Sequence, residues 1–243
     1  MERRSLFALA AQVLSRPHDL LARADDPQVL GRLAGPLLGL TALCAGLFGL
    51  VVGTFDGGWQ LLWATFKMPL VLLVPVIVTV PALRALHAAD GQPVSLPRAG
   101  LAALVGSARV AILTTALAPL LWLVYSLQPP YTLALLLMAG GLSLCGLPGL
   151  IFVGRALRPA GRGSFAAVTA TVLLVGVVIA QTGWLLRPFV VTPGARLTVL
   201  CPRSGDVFSG LLQRIDGHVA VDGDGIPTDC TVPSRRPSSP TVL

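Results

Sequence analysis

Five stretches of the chain, residues 34–54, 61–83, 100–127, 132–153 and 165–186, are apolar almost throughout. Each is long enough to cross a bilayer as a helix, which takes about twenty apolar residues; helix is the form required because unsatisfied backbone groups are too costly in hydrocarbon. The third stretch begins either near Gly100 or just after Arg109. The connections between stretches are short, so neighbouring helices run antiparallel and gather into one bundle. The expected fold is therefore all-α: a polytopic transmembrane helical bundle of about five spans within residues 34–188. A segment of residues 1–33 precedes it, and a polar tail of residues 189–243, with room for a little β structure, follows.

The N-terminal segment holds a shorter apolar run, Leu6 to Leu14, behind Glu2-Arg3-Arg4. A secretory signal peptide would show a small-residue cleavage site, whereas here the run contains Gln12 and ends in Arg16-Pro17-His18-Asp19. The expectation is a retained amphipathic helix lying in the membrane interface.

Composition agrees with the pattern, since 54% of the 243 residues are hydrophobic, 12% are charged and the mean hydropathy is +0.78. A soluble core of this size could not hide so much apolar surface, and all acidic residues fall outside the apolar runs. The net charge of +7 would suggest nucleic acid in a soluble protein. Here the arginines cluster at the ends of apolar segments and read as topology signals and anionic-lipid contacts, not as a nucleic-acid surface. The N-terminal region (Arg3, Arg4, Arg16, Arg23, Arg32), the second connection (Arg84, Arg98) and the fourth (Arg155, Arg158, Arg162) carry the basic residues; the first and third connections carry none. The positive-inside rule then places the N-terminus in the cytoplasm and the tail outside. Trp59, Trp63, Trp122, Tyr125, Tyr131 and Trp184 all fall near the opposite, outer ends, where interfacial aromatics belong. The preference for Arg over Lys and the absence of Asn suggest a GC-rich bacterial genome, hence an inner (plasma) membrane.

Within the first span, Gly35, Gly39, Ala42, Gly46, Gly49 and Gly53 recur at spacings of four and three. On a helix they form one stripe with no side chain larger than methyl, a face that another helix can approach closely. That helix could belong to the same chain or to a second subunit. The ionisable residues inside spans are Lys67 and Arg109. Lys67 can snorkel outward past Trp63, and Arg109 can sit at the inner interface; the functional reading of the pair is an anion or lipid-headgroup site. No carboxylate lies inside a span, which weakens the case for ion-coupled transport. Pro69, Pro75, Pro81, Pro119 and Pro148 predict kinks that are either structural or shape a cavity.

Catalytic chemistry finds little material. His18, His87 and His218 fall in separate segments, and Gly161-Arg162-Gly163-Ser164 lacks the spacing and the Lys of a phosphate loop. No catalytic residue, metal site or cofactor is expected. Cys44 and Cys145 lie in spans, while Cys201 and Cys230 share the tail and are candidates for a disulfide, given an extracytoplasmic tail. Asp222-Gly223-Asp224-Gly225 with Asp229 departs from a calcium loop, because Ile226 stands where a ligand belongs, and reads as a Gly-rich turn.

The stretch Val13-Leu14-Ser15-Arg16-Pro17 leading through Asp19-Leu20-Leu21 to the first span resembles the Yip-type family of five-span membrane proteins. So do the segments Lys67-Met68-Pro69 and Trp184-Leu185-Leu186-Arg187-Pro188-Phe189, over a coverage of residues 5–190. The resemblance implies a membrane-organising or adaptor role; the acidic and Tyr-Gly-Pro signature of the eukaryotic branch is missing, so binding of small GTPases is not carried over. Together these readings lead us to expect a non-enzymatic accessory protein. Its partners are the lipid bilayer and another membrane protein or a second copy of itself. The alternative is a passive transporter or channel component with Lys67 and Arg109 lining the path.

Overall fold

A computed structural model describes residues 6–22, 24–55, 58–89, 91, 93–157 and 165–186. The predicted disulfide between Cys201 and Cys230, the Gly-rich turn and the whole polar tail lie outside the described residues.

Those residues form seven helices, α1 (Leu6–Ser15), α2 (Pro17–Leu21), α3 (Pro27–Gly53), α4 (Trp59–Ala89), α5 (Leu96–Ser126), α6 (Tyr131–Ala156) and α7 (Phe165–Leu185). Four of them, α3 to α6, are long and apolar enough to cross a membrane, and the protein is a multi-pass helical membrane protein. The fifth apolar stretch is α7, whose Val168 packs on Gly154 while Leu186 joins the cluster at the far end of the bundle. It therefore runs the length of α6 in the opposite direction.

Two clusters of buried side chains divide the bundle. One gathers Leu37 and Leu40 of α3, Leu83 of α4, Leu101, Ala102, Leu104 and Val105 of α5 and Phe152, Val153, Ala156 and Leu157, together with residues of α1 and α2; this is the end rich in arginine. The other gathers Phe48 and Val52 of α3, Met68 of α4, Leu121 and Tyr125 of α5 and Ala134 of α6, at the end rich in Trp and Tyr. Polar side chains add bonds between helices. The Thr115 hydroxyl of α5 lies 2.7 Å from the Cys44 carbonyl of α3, and the Tyr125 hydroxyl donates to the Ala134 carbonyl of α6 at 3.0 Å.

Helix lengths refine the sequence boundaries. The third stretch is one unbroken helix of 31 residues, about 46 Å at 1.5 Å per residue, against a hydrocarbon thickness of about 30 Å. α3 likewise starts at Pro27, seven residues before the expected edge of the span, because Asp26 caps it: its carboxylate accepts from the Gln28 N–H at 2.9 Å and Pro27 occupies the first turn. The excess length projects at the arginine-rich end. Replacing Asp26 by Ala should cost about 1 kcal/mol, readable as a small fall in thermal midpoint.

Around that projecting collar wrap α1 and α2. Leu9 and Val13 of α1 and Leu20 and Leu21 of α2 are buried against it, whereas Phe7 is 89% exposed and Leu6 and Leu14 also face outward. The run expected to form an interfacial helix is helical. It uses one apolar side to grip the bundle and leaves the other free.

Candidate functional site

Close helix crossings depend on glycine at two places. A side chain at Gly49 would meet the Ala64 backbone carbonyl of α4 and, at 3.0 Å, the Met68 Cβ. At the α5–α6 crossing, a Cβ on Gly149 would strike Val110 and lie 3.0 Å from the Gly106 carbonyl; one on Gly106 would strike Val153. The sequence singled out Gly49 but not the Gly106 and Gly149 pair, whose partners sit on different spans with no local spacing to expose them.

The six-residue stripe of α3 is split by the fold. Gly46, Gly49 and Gly53 are buried, Ala42 is partly buried, and Gly35 and Gly39 are exposed with nothing within 4 Å of a Cβ built on either. Half of the stripe is thus used within the chain and half stays open.

Lys67 does not take the outward route past Trp63. It is 5% exposed, covered by the bundle, while Trp63 is 39% exposed. The cause is the close approach at Gly49, which brings α3 over the Ala64 to Met68 turn of α4. Arg109 is partly buried on α5, as the fourteenth residue of the helix. Its guanidinium carbon lies 5.1 Å from the centroid of the Phe152 ring of α6. The His18 ring of α2 lies 5.6 Å from the same Phe152 ring, so α2, α5 and α6 meet there. The two charged residues are not brought together: Lys67 neighbours the Trp-rich cluster through Met68, and Arg109 the arginine-rich cluster through Phe152.

A cavity of about 40 Å³ lies between α4, α5, α6 and α7, lined by Leu72, Pro75, Thr79, Ser107, Val110 and Gly149 among others. Room for a few water molecules is available, but the hydroxyls of Thr79 and Ser107 bond to their own helices, at the Pro75 and Ala103 carbonyls. Pro75 thus borders a cavity as the sequence allowed. Neither Lys67 nor Arg109 lines it.

At the arginine-rich end, Asp25 accepts from the Ser95 hydroxyl and pairs with Arg98 at 3.5 Å, and Arg98 also reaches the Ala156 carbonyl at 3.5 Å. This exposed clamp ties the α2–α3 turn to α5 and α6, and its contribution is modest, on the order of 1 kcal/mol or less. His87 is buried with Nδ1 at 2.9 Å from the Leu83 carbonyl of its own helix, and His18 is exposed. Among the described residues no three His, Cys, Asp or Glu side chains come together as a metal-binding group. Comparison with protein-family models, with curated proteins and with solved structures gave no match.

Proposed function

We propose that this protein is a membrane-organising or accessory subunit that acts by packing a helix of a partner against the open half of the α3 stripe. The observation that carries the reading is the contrast along one helix: Gly46 and Gly49 are filled by α4, while Gly35 and Gly39 present a smooth, exposed groove flanked by the exposed Leu38 and Leu43. Small-residue faces let helices approach closely in lipid, where hydrophobic burial supplies no drive between helices. In this reading the arginine-rich end faces the cytoplasm of a bacterial inner membrane, α7 supplies a fifth span, and the tail is extracytoplasmic. A Yip-like adaptor role is compatible with that layout.

Passive conduction past Lys67 and Arg109 has less to support it. The two charges are not brought together, and the cavity between α4 and α7 is small, mostly apolar and lined by neither.

The test is substitution of Gly35 and Gly39 together by Leu, followed by cross-linking in native membranes with mass spectrometry. Neither new side chain meets the rest of the chain at its Cβ, so expression and thermal midpoint should stay near those of the parent. A cross-linked partner or second copy, recovered with the parent protein, should be lost from the variant. Undiminished recovery would sink the reading.

A further inference from the structure

The Arg109 guanidinium is covered on one side by the Phe152 ring, and its Nε is sealed from solvent without a hydrogen-bond partner among the described residues. A ring face attracts the cation but cannot accept the N–H groups that point outward in the guanidinium plane. Those donors are a fork suited to a tetrahedral oxyanion, which takes two parallel hydrogen bonds. Among the described residues no such acceptor is supplied there: the ion pair they form is Arg98 with Asp25, and Asp25 is also held by Ser95.

The surroundings are basic. His18, exposed on α2, shares the Phe152 ring; Arg155, exposed in the last turn of α6, stands three residues beyond Phe152; Arg16, exposed, precedes α2. Against them stands one nearby carboxylate in sequence, Asp19, which is exposed and forms no ion pair among the described residues.

Depth fixes what can reach the site. Trp122 is 54% exposed near the end of α5, where an interfacial aromatic belongs. About twenty residues of hydrocarbon counted back from Ser126 end near Ser107, so Arg109 lies within a turn of the lipid headgroups at the arginine-rich end. α1 and α2, with Phe7 and Leu14 facing outward, lie at the same level.

We infer that Arg109, framed by Phe152 and His18, binds a phosphate group, delivered by the headgroup of an anionic membrane lipid entering between α2 and α6. The reading concerns the inner rim of the bundle and does not depend on a partner at the α3 groove.

The experiment uses the full chain in a nonionic detergent and follows its thermal midpoint during titration with phosphatidylglycerol, phosphatidylcholine or inorganic phosphate. Phosphatidylglycerol should raise the midpoint by several degrees and phosphatidylcholine should not, because only a ligand of the folded state stabilises it. Arg109→Gln should lose that rise, and Arg84→Gln, an exposed arginine of α4 at the same end, should keep it. An equal rise with inorganic phosphate would overturn the lipid source and leave a soluble phosphate as the ligand. A rise of the same size in Arg109→Gln would overturn the site altogether. Should Arg109→Gln fail to fold, the decision passes to the exposed His18→Gln with Arg155→Gln. That pair must raise the lipid concentration at half-effect by about fivefold, the usual worth of a basic group at an anionic surface. No change would overturn the proposal.

Discussion

Replacing Gly49 by Ala, the smallest change available, should lower the stability of the bundle by about 2 to 3 kcal/mol, at the upper end of what overpacking costs. A methyl group there meets the backbone carbonyl of Ala64, which cannot rotate aside as a flexible side chain would, and the Met68 Cβ closes the other direction. Relief requires α3 and α4 to part, and the contacts of Phe48 and Val52 with Met68 and Val71 loosen with them. Gly149→Leu should be at least as damaging, because Val110 and the Gly106 carbonyl already touch the vacant position. Gly140→Leu on the same helix is the control, since nothing lies within 4 Å of its Cβ. Thermal unfolding in detergent, read by gel filtration of the heated samples, should show a midpoint lower by roughly 5 to 10 °C for Gly49→Ala, converting at a few degrees per kcal/mol for a chain of this size. A Gly49→Ala variant as stable as the parent would mean that α3 and α4 do not cross as closely as this structure has them.

The contrast between these glycines shows what a sequence can and cannot convey about a membrane bundle. The helical multi-pass layout, antiparallel order and the segregation of arginine from Trp and Tyr follow from hydrophobic length and charge, which act residue by residue, and they are legible without coordinates. Which glycines are filled is a property of pairs. Gly35, Gly39, Gly46 and Gly49 look alike in the stripe, yet α4 covers the last two alone. Lys67 illustrates the same point: an ammonium one turn from Trp63 has a plausible way to the interface, and only the neighbouring helix decides that it is enclosed. Arg109 was legible as a charge near a boundary. Its setting between Phe152 and His18 was not, because those residues belong to α6 and α2 and come together through the return of the chain.

The N-terminal segment yields the second large effect. Val13 has no exposed surface, and with Leu9 it joins α1 to the same cluster as Leu101, Leu104 and Val105 of α5. Val13→Asp would place a carboxylate in that apolar seat. An unpaired buried charge costs several kcal/mol, more than a ten-residue helix gripping through two buried side chains can offset. The expected result is that α1 and α2 leave the collar while the Trp-rich end, whose cluster contains no residue of either helix, stays assembled. Brief trypsin treatment of native membranes should then cut after Arg23, which follows α2 in the sequence, far faster than in the parent protein. Phe7→Asp, at 89% exposure, separates gripping the bundle from resting in lipid. If the segment is held chiefly by the bundle, Phe7→Asp should leave trypsin sensitivity near the parent level and Val13→Asp should raise it tenfold or more, as expected for a loss beyond about 1.4 kcal/mol. Equal sensitivity of the two variants would place the holding force in the membrane surface instead. α1 would then be an independent interfacial helix, and Leu9 and Val13 would meet the bundle without anchoring to it.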